Sequence, residues 1–167
     1  MITPPLILTL AMIDSDLNYF NSLRQKHFPA ERNFLDAHLT LFHALPNEPT
    51  LINTVKELCE TRSIFTIQVK AVVSIGNGVA FKMESLELMQ LHKTLQNQWQ
   101  AFLTNQDKQK LWPHITIQNK VPATEANELL ATLQKSFMPF SFPAKGLQLW
   151  EYLNGPWEFI EAFSFRT

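Results

Sequence analysis

Composition alone assigns little here, because the sequence lacks most of what would do so. Its 167 residues contain one cysteine, Cys59, which excludes an intramolecular disulfide and a cysteine-rich metal site. Leu51, Val55 and Leu58 share its predicted helix face, so Cys59 reads as a buried structural thiol. Charge of one sign is missing too: 14 Lys and Arg stand against 15 Asp and Glu. Proteins that track many phosphates carry a large basic surplus. An extended nucleic-acid surface is therefore not expected, and any phosphate must be met in a local pocket. No stretch has the polar, low-complexity character of disorder, and none could span a membrane. The apolar start, residues 1–13, has no basic lead, holds two prolines and runs into Asp14-Ser15-Asp16; it reads as a buried strand rather than a secretion signal. A cytoplasmic monomer without a membrane partner is expected. What is present is a 46% apolar share with 13 Phe and 4 Trp, enough interior for one domain of this length.

The chain contains one nine-residue phrase twice. His38-Leu-Thr40-Leu-Phe-His-Ala-Leu-Pro46 and His114-Ile-Thr116-Ile-Gln-Asn-Lys-Val-Pro122 both read H-φ-T-φ-x-x-x-φ-P, with φ aliphatic. A lone H-x-T is a weak signal. Two copies in the same apolar frame, each followed by Pro at the same offset, are not casual. A strand turns residues i and i+2 to one face, so His38 and Thr40 point one way while Leu39 and Leu41 anchor the other. His114 and Thr116 repeat this against Ile115 and Ile117. Two imidazoles and two hydroxyls on equivalent strands could hold one phosphate.

The order of elements repeats as well. Residues 5–13 read as a strand, and Asp14 or Ser15 can cap a helix carrying Leu17, Phe20 and Leu23. The first H-x-T strand spans about 36–44, followed by a helix over about 48–61 and a strand over about 64–75. Gly76-Asn77-Gly78 marks a tight turn, with 79–83 returning. A helix over about 85–103, the second H-x-T strand over 112–119, a helix opened by Pro122 and a second hairpin around Asn154-Gly155-Pro156 complete the chain. The pattern predicts an α+β, bilobal duplicated fold: two antiparallel sheets flanked by helices around a central cleft. The expected lobes cover about 14–84 and 85–165 of a single domain, with the N-terminal strand pairing in either.

Opening a cyclic phosphodiester needs a base for the attacking water and an acid for the departing sugar oxygen. Imidazole suits both, because either of its forms is accessible near neutrality. Threonine hydroxyls can donate to the non-bridging phosphate oxygens, and the scheme needs no metal. With its two H-φ-T-φ motifs the chain resembles the two-histidine (2H) phosphoesterase superfamily, which includes 2′-5′ RNA ligase-like proteins and 2′,3′-cyclic phosphodiesterases. The resemblance spans essentially the whole chain, through to the 147–157 hairpin. It implies acid–base work for His38 and His114, phosphate holding by Thr40 and Thr116, and no cofactor. Many ligase-like members carry an arginine shortly after a motif. This chain has Phe42-His43 and Gln118-Asn119 there, which points to a small nucleotide or short RNA end bearing a cyclic phosphate.

By alternation, Phe42 and Gln118 fall on the cleft face, where Phe42 would stack on a base and Gln118 would bond a base edge. His43 falls on the face opposite His38. His27, His92 and Lys120 read as ordinary surface or edge residues, and Trp112, Trp150 and Tyr152 as core. The expected function is a metal-independent phosphodiesterase acting on a 2′,3′-cyclic phosphate. A second reading is a non-catalytic nucleotide- or RNA-binding module of the same fold. A histidine metal site has too few ligands, since neither motif contains Asp or Glu.

Overall fold

A computed structural model of the protein describes residues 3–167. The elements are β1 (Leu6–Met12), α1 (Asp14–His27), a 3₁₀ turn (Ala30–Arg32), β2 (Thr40–Leu45), α2 (Pro49–Thr61) and β3 (Phe65–Ser74). They continue with β4 (Val79–Glu84), α3 (Leu86–Trp99), β5 (His114–Gln118), α4 (Ala123–Ser136), β6 (Phe140–Tyr152) and β7 (Trp157–Ser164). Helix α1 begins a residue earlier than expected: Ile13 is the N-cap without a side-chain bond, and Asp14 and Asp16 sit in the first turn, where acidic groups favour the helix dipole. Helix α3 has a side-chain cap, with Ser85 Oγ accepting from the Leu88 N–H at 3.2 Å. No helix of the described residues is long and apolar enough to cross a membrane.

The α+β class stands, but the expected two sheets are one. Hydrogen bonding runs without a break through β2-β1-β6-β3-β4-β5, and β7 pairs with the free side of β6. The reason is that β3 and β6 are long enough to serve both halves. The N-terminal end of β6 pairs with β3, Phe65 with Ala144 and Val69 with Phe140, while its C-terminal end pairs with β1 and β7. By connectivity the chain is β-α-β-α-β performed twice, β1 to β3 and then β4 to β6, with β7 added. Strand β1 therefore stands beside the first motif strand as β4 stands beside the second.

Every residue of β1 is buried, as a strand covered on both faces requires. The core joins Leu6, Leu8 and Leu10 to Phe42, Val55, Ile67, Phe81, Leu91, Ile115 and Leu149. Cys59 lies within it at 1% exposure, and burial pushes its thiol up to about 12. The first helix of each unit backs the other unit's motif strand. Helix α1 packs on β5, and α3 reaches β2 through Phe42, which stacks on His92 (centroids 4.6 Å apart) and meets Trp99 edge-on.

Candidate active site

The two motif strands lie at opposite ends of the sheet path, and both are bulged at the same place. On β2, Leu8 faces Phe42 while Thr9 faces Thr40, so Leu41 is an extra residue. On β5, Val79 faces Gln118 while Ala80 faces Thr116, so Ile117 is extra. A bulge of this kind resets alternation. Thr40 shares the face of Thr9, whereas Phe42 shares that of Leu8 in the core. This corrects two expectations. Phe42 is fully buried against His92 and cannot stack on a base. Gln118 is 3% exposed, with its side-chain oxygen buried and without a partner among the described residues, so it does not stand open on the cleft face.

The motif histidines are presented alike. His38 Nδ1 lies 2.8 Å from the Asp36 carbonyl, and His114 Nδ1 lies 2.7 Å from the Trp112 carbonyl. A carbonyl only accepts, so each ring carries its proton on Nδ1, and Nε2 is left for chemistry. Each ring also meets a tryptophan: His38 with Trp157 (4.6 Å) and His114 stacked on Trp112 (4.3 Å, 29°). Trp112 is 42% exposed, so the core expectation for it does not hold.

Burial pushes His38 down to about 4, only partly opposed by the Asp36 carbonyl; positive charge on Arg24, His114 and His43 pushes the same way. His114 is also lowered, first by burial and then by His43, against its bond to Trp112. The three imidazoles are thus in electrostatic reach of one another. His43 is not turned away from His38, because the bulge at Leu41 upsets the count of faces.

His38 and Thr116, one from each motif, line a single cavity of about 390 Å³ together with Arg24, Arg32 and Lys120. Tyr152 and Trp157 line it too, so Tyr152 is a wall of the cleft rather than core. A neighbouring cavity of about 330 Å³ shares His38 and Trp157, and adds Trp150, Thr9 and Gln148. Trp150 Nε1 donates to Thr9 Oγ1 at 2.9 Å, opposite Thr40 in the ladder.

Three contributors escaped the sequence reading. Arg24, on α1 and 4% exposed, donates to the Thr116 carbonyl at 2.9 Å and through two nitrogens to Asn33 Oδ1; its guanidinium lies 4.2 Å over the Phe28 ring. Asp107, 1% exposed, accepts from His43 Nδ1 at 3.1 Å and from the His43 and Ala44 N–H groups. Burial raises Asp107, and these bonds more than offset that, so its carboxyl sits below the usual range. His92, 3% exposed, donates Nε2 to the Leu41 carbonyl at 3.0 Å. Only the apolar spacing of α1 and α3 hinted that these helices had a buried face.

Comparison with known proteins agrees with this architecture. The model of the 2′-5′ RNA ligase superfamily matches residues 14–156, and the chain belongs to that family. A search of the curated proteins finds no match. Among solved structures, TT0787 of Thermus thermophilus is 18% identical, with TM-score 0.69 over 97% of this chain and 98% of that one. A crystal structure described as a phosphoesterase is 17% identical (TM-score 0.65, 99% of each chain). E. coli LigT complexed with 3′-AMP is 17% identical (TM-score 0.64, 99% of each chain). At these identities the likeness establishes the fold.

Proposed function

We propose that this chain is a metal-independent phosphodiesterase that hydrolyses the 2′,3′-cyclic phosphate of a nucleotide or short RNA end. The observation that carries the reading is the matched pair of imidazoles, each with Nδ1 bonded to a carbonyl and Nε2 without a partner among the described residues. His38, kept neutral by burial and by Arg24, is the base. It takes a proton from water as the water oxygen bonds to phosphorus. One bond from phosphorus to a ribose oxygen breaks, and His114, charged in the presence of the bound anion, delivers a proton to that oxygen. A phosphate monoester leaves, and proton exchange with solvent resets the pair. Thr40 and Thr116 donate to the non-bridging oxygens. Arg24, fixed by Asn33 and Thr116, adds positive charge without titrating. The complex of LigT with 3′-AMP supports a nucleotide-sized ligand for this fold.

The test is incubation of the purified protein with 2′,3′-cyclic AMP in excess EDTA. The expected product is adenosine monophosphate, at a rate the chelator does not change. Binding without turnover would reject this reading in favour of a non-catalytic nucleotide-binding module.

A further inference from the structure

The two cavities that meet at His38 differ in charge. The one with Trp150 is lined by Asp36 and by no lysine or arginine. The other contains Arg24, Arg32 and Lys120 and no carboxylate. A cyclic phosphodiester carries one negative charge. On the proposed mechanism two imidazoles, two hydroxyls and Arg24 meet that charge, so Arg32 and Lys120 are in excess of what the reacting group needs.

Neither Arg32 nor Lys120 has a side-chain hydrogen bond or ion pair among the described residues. Both line the same cavity as Thr116. Lys120 is also held in place from behind. Its φ is +62°, a conformation that a lysine seldom adopts unless its surroundings impose it. The β3–β4 turn imposes it: the Val121 N–H donates to the Asn77 carbonyl at 3.1 Å, and Asn77 Nδ2 donates to the Val121 carbonyl at 3.0 Å.

We propose that Arg32 and Lys120 form a second anion subsite, which takes a phosphate beyond the one that reacts. The assignment rests on the cyclic phosphodiesterase reading for the placing of the reacting group. On a nucleotide ending in a 2′,3′-cyclic phosphate, the free ribose position for a further phosphate is the 5′ oxygen. The substrate class is thus a 5′-phosphorylated nucleotide, or a short RNA whose last internucleotide phosphate occupies this subsite.

Titration calorimetry with 3′-AMP and adenosine 3′,5′-bisphosphate tests this without relying on turnover. The wild-type protein is expected to bind the bisphosphate about tenfold more tightly, the scale of hydrogen bonds to a charged group. Raising the salt concentration should narrow the margin. In the double variant Arg32→Gln, Lys120→Asn the ratio of the two affinities should fall to within about twofold of one; asparagine tolerates the left-handed backbone at 120. Equal affinities in the wild type, or a margin that survives the double substitution, would overturn the subsite. Turnover of 2′,3′-cyclic AMP without the margin removes the subsite alone. The margin without turnover removes the proposed reaction alone.

Discussion

At the scale of the residue, the site depends on protons whose positions are set by backbone carbonyls and by burial. His38 as base must be neutral, and its ring is pushed down to about 4. His114 as acid must be charged, and it too lies below its ordinary 6.5. The product of these two requirements is a bell on the acid side of pH 6.5 in the kcat/KM profile of the free enzyme, its limbs belonging to the pair. The kcat profile should lie at higher pH, because the bound phosphate favours charged imidazole. An initial-rate series from about pH 4 to pH 9 checks both; a kcat/KM optimum above about pH 7.5 would contradict the assignment. Asp107 pins β2 just beyond Thr40, through the His43 and Ala44 N–H groups. Asp107→Ala would strand the His43 and Ala44 N–H groups, and a loss of about 3 kcal/mol is expected in urea unfolding. The motif pairs were legible in the sequence because their spacing repeats. Arg24 and Asp107 were not, because each acts on a strand 92 or 64 positions away, and a charged residue on an amphipathic helix or loop looks solvated until its partner is known.

At the scale of the element, matched bulges decide which side chains the site receives. Leu41 and Ile117 are one pair. Lys70, extra on β3 against β4, and Lys145, extra on β6 against β1, are another. Counting faces by alternation assumes that every residue pairs, so it failed immediately beyond the motif threonines, at Phe42, His43 and Gln118. Helices and hairpins were read to within a few residues, since apolar period and turn residues are local signals. One glycine is tied to the second bulge. A Cβ on Gly78 would lie 1.9 Å from the Gln118 carbonyl oxygen and 2.7 Å from Asn119 Cα, both backbone and unable to swing aside. Gly78→Ala should therefore cost about 3 kcal/mol. It should also weaken bisphosphate binding, because the displaced segment carries Lys120. A melting temperature equal to wild type would contradict that packing.

At the scale of the whole molecule, duplication brings one motif from each unit to a shared cleft, and exchange of helices joins the units. The duplication was visible in the sequence; the exchange and the continuous sheet were not, since β1 carries no mark of which strands it will join. Because His38 is lowered in the folded state, the unfolded chain binds more protons between about pH 4 and pH 6.5. Stability should therefore fall as pH drops through that window, and His38→Gln should flatten the fall in melting temperature. On the proposed mechanism the two units supply one acid and one base between them. That pairing is tested most directly by the turnover of 2′,3′-cyclic AMP in His38→Ala, His114→Ala and the double variant. Each single change should lose roughly 10²–10⁴-fold in kcat, and the double variant should lose far less than the product of the two. Near-wild-type turnover in either single variant would contradict that mechanism.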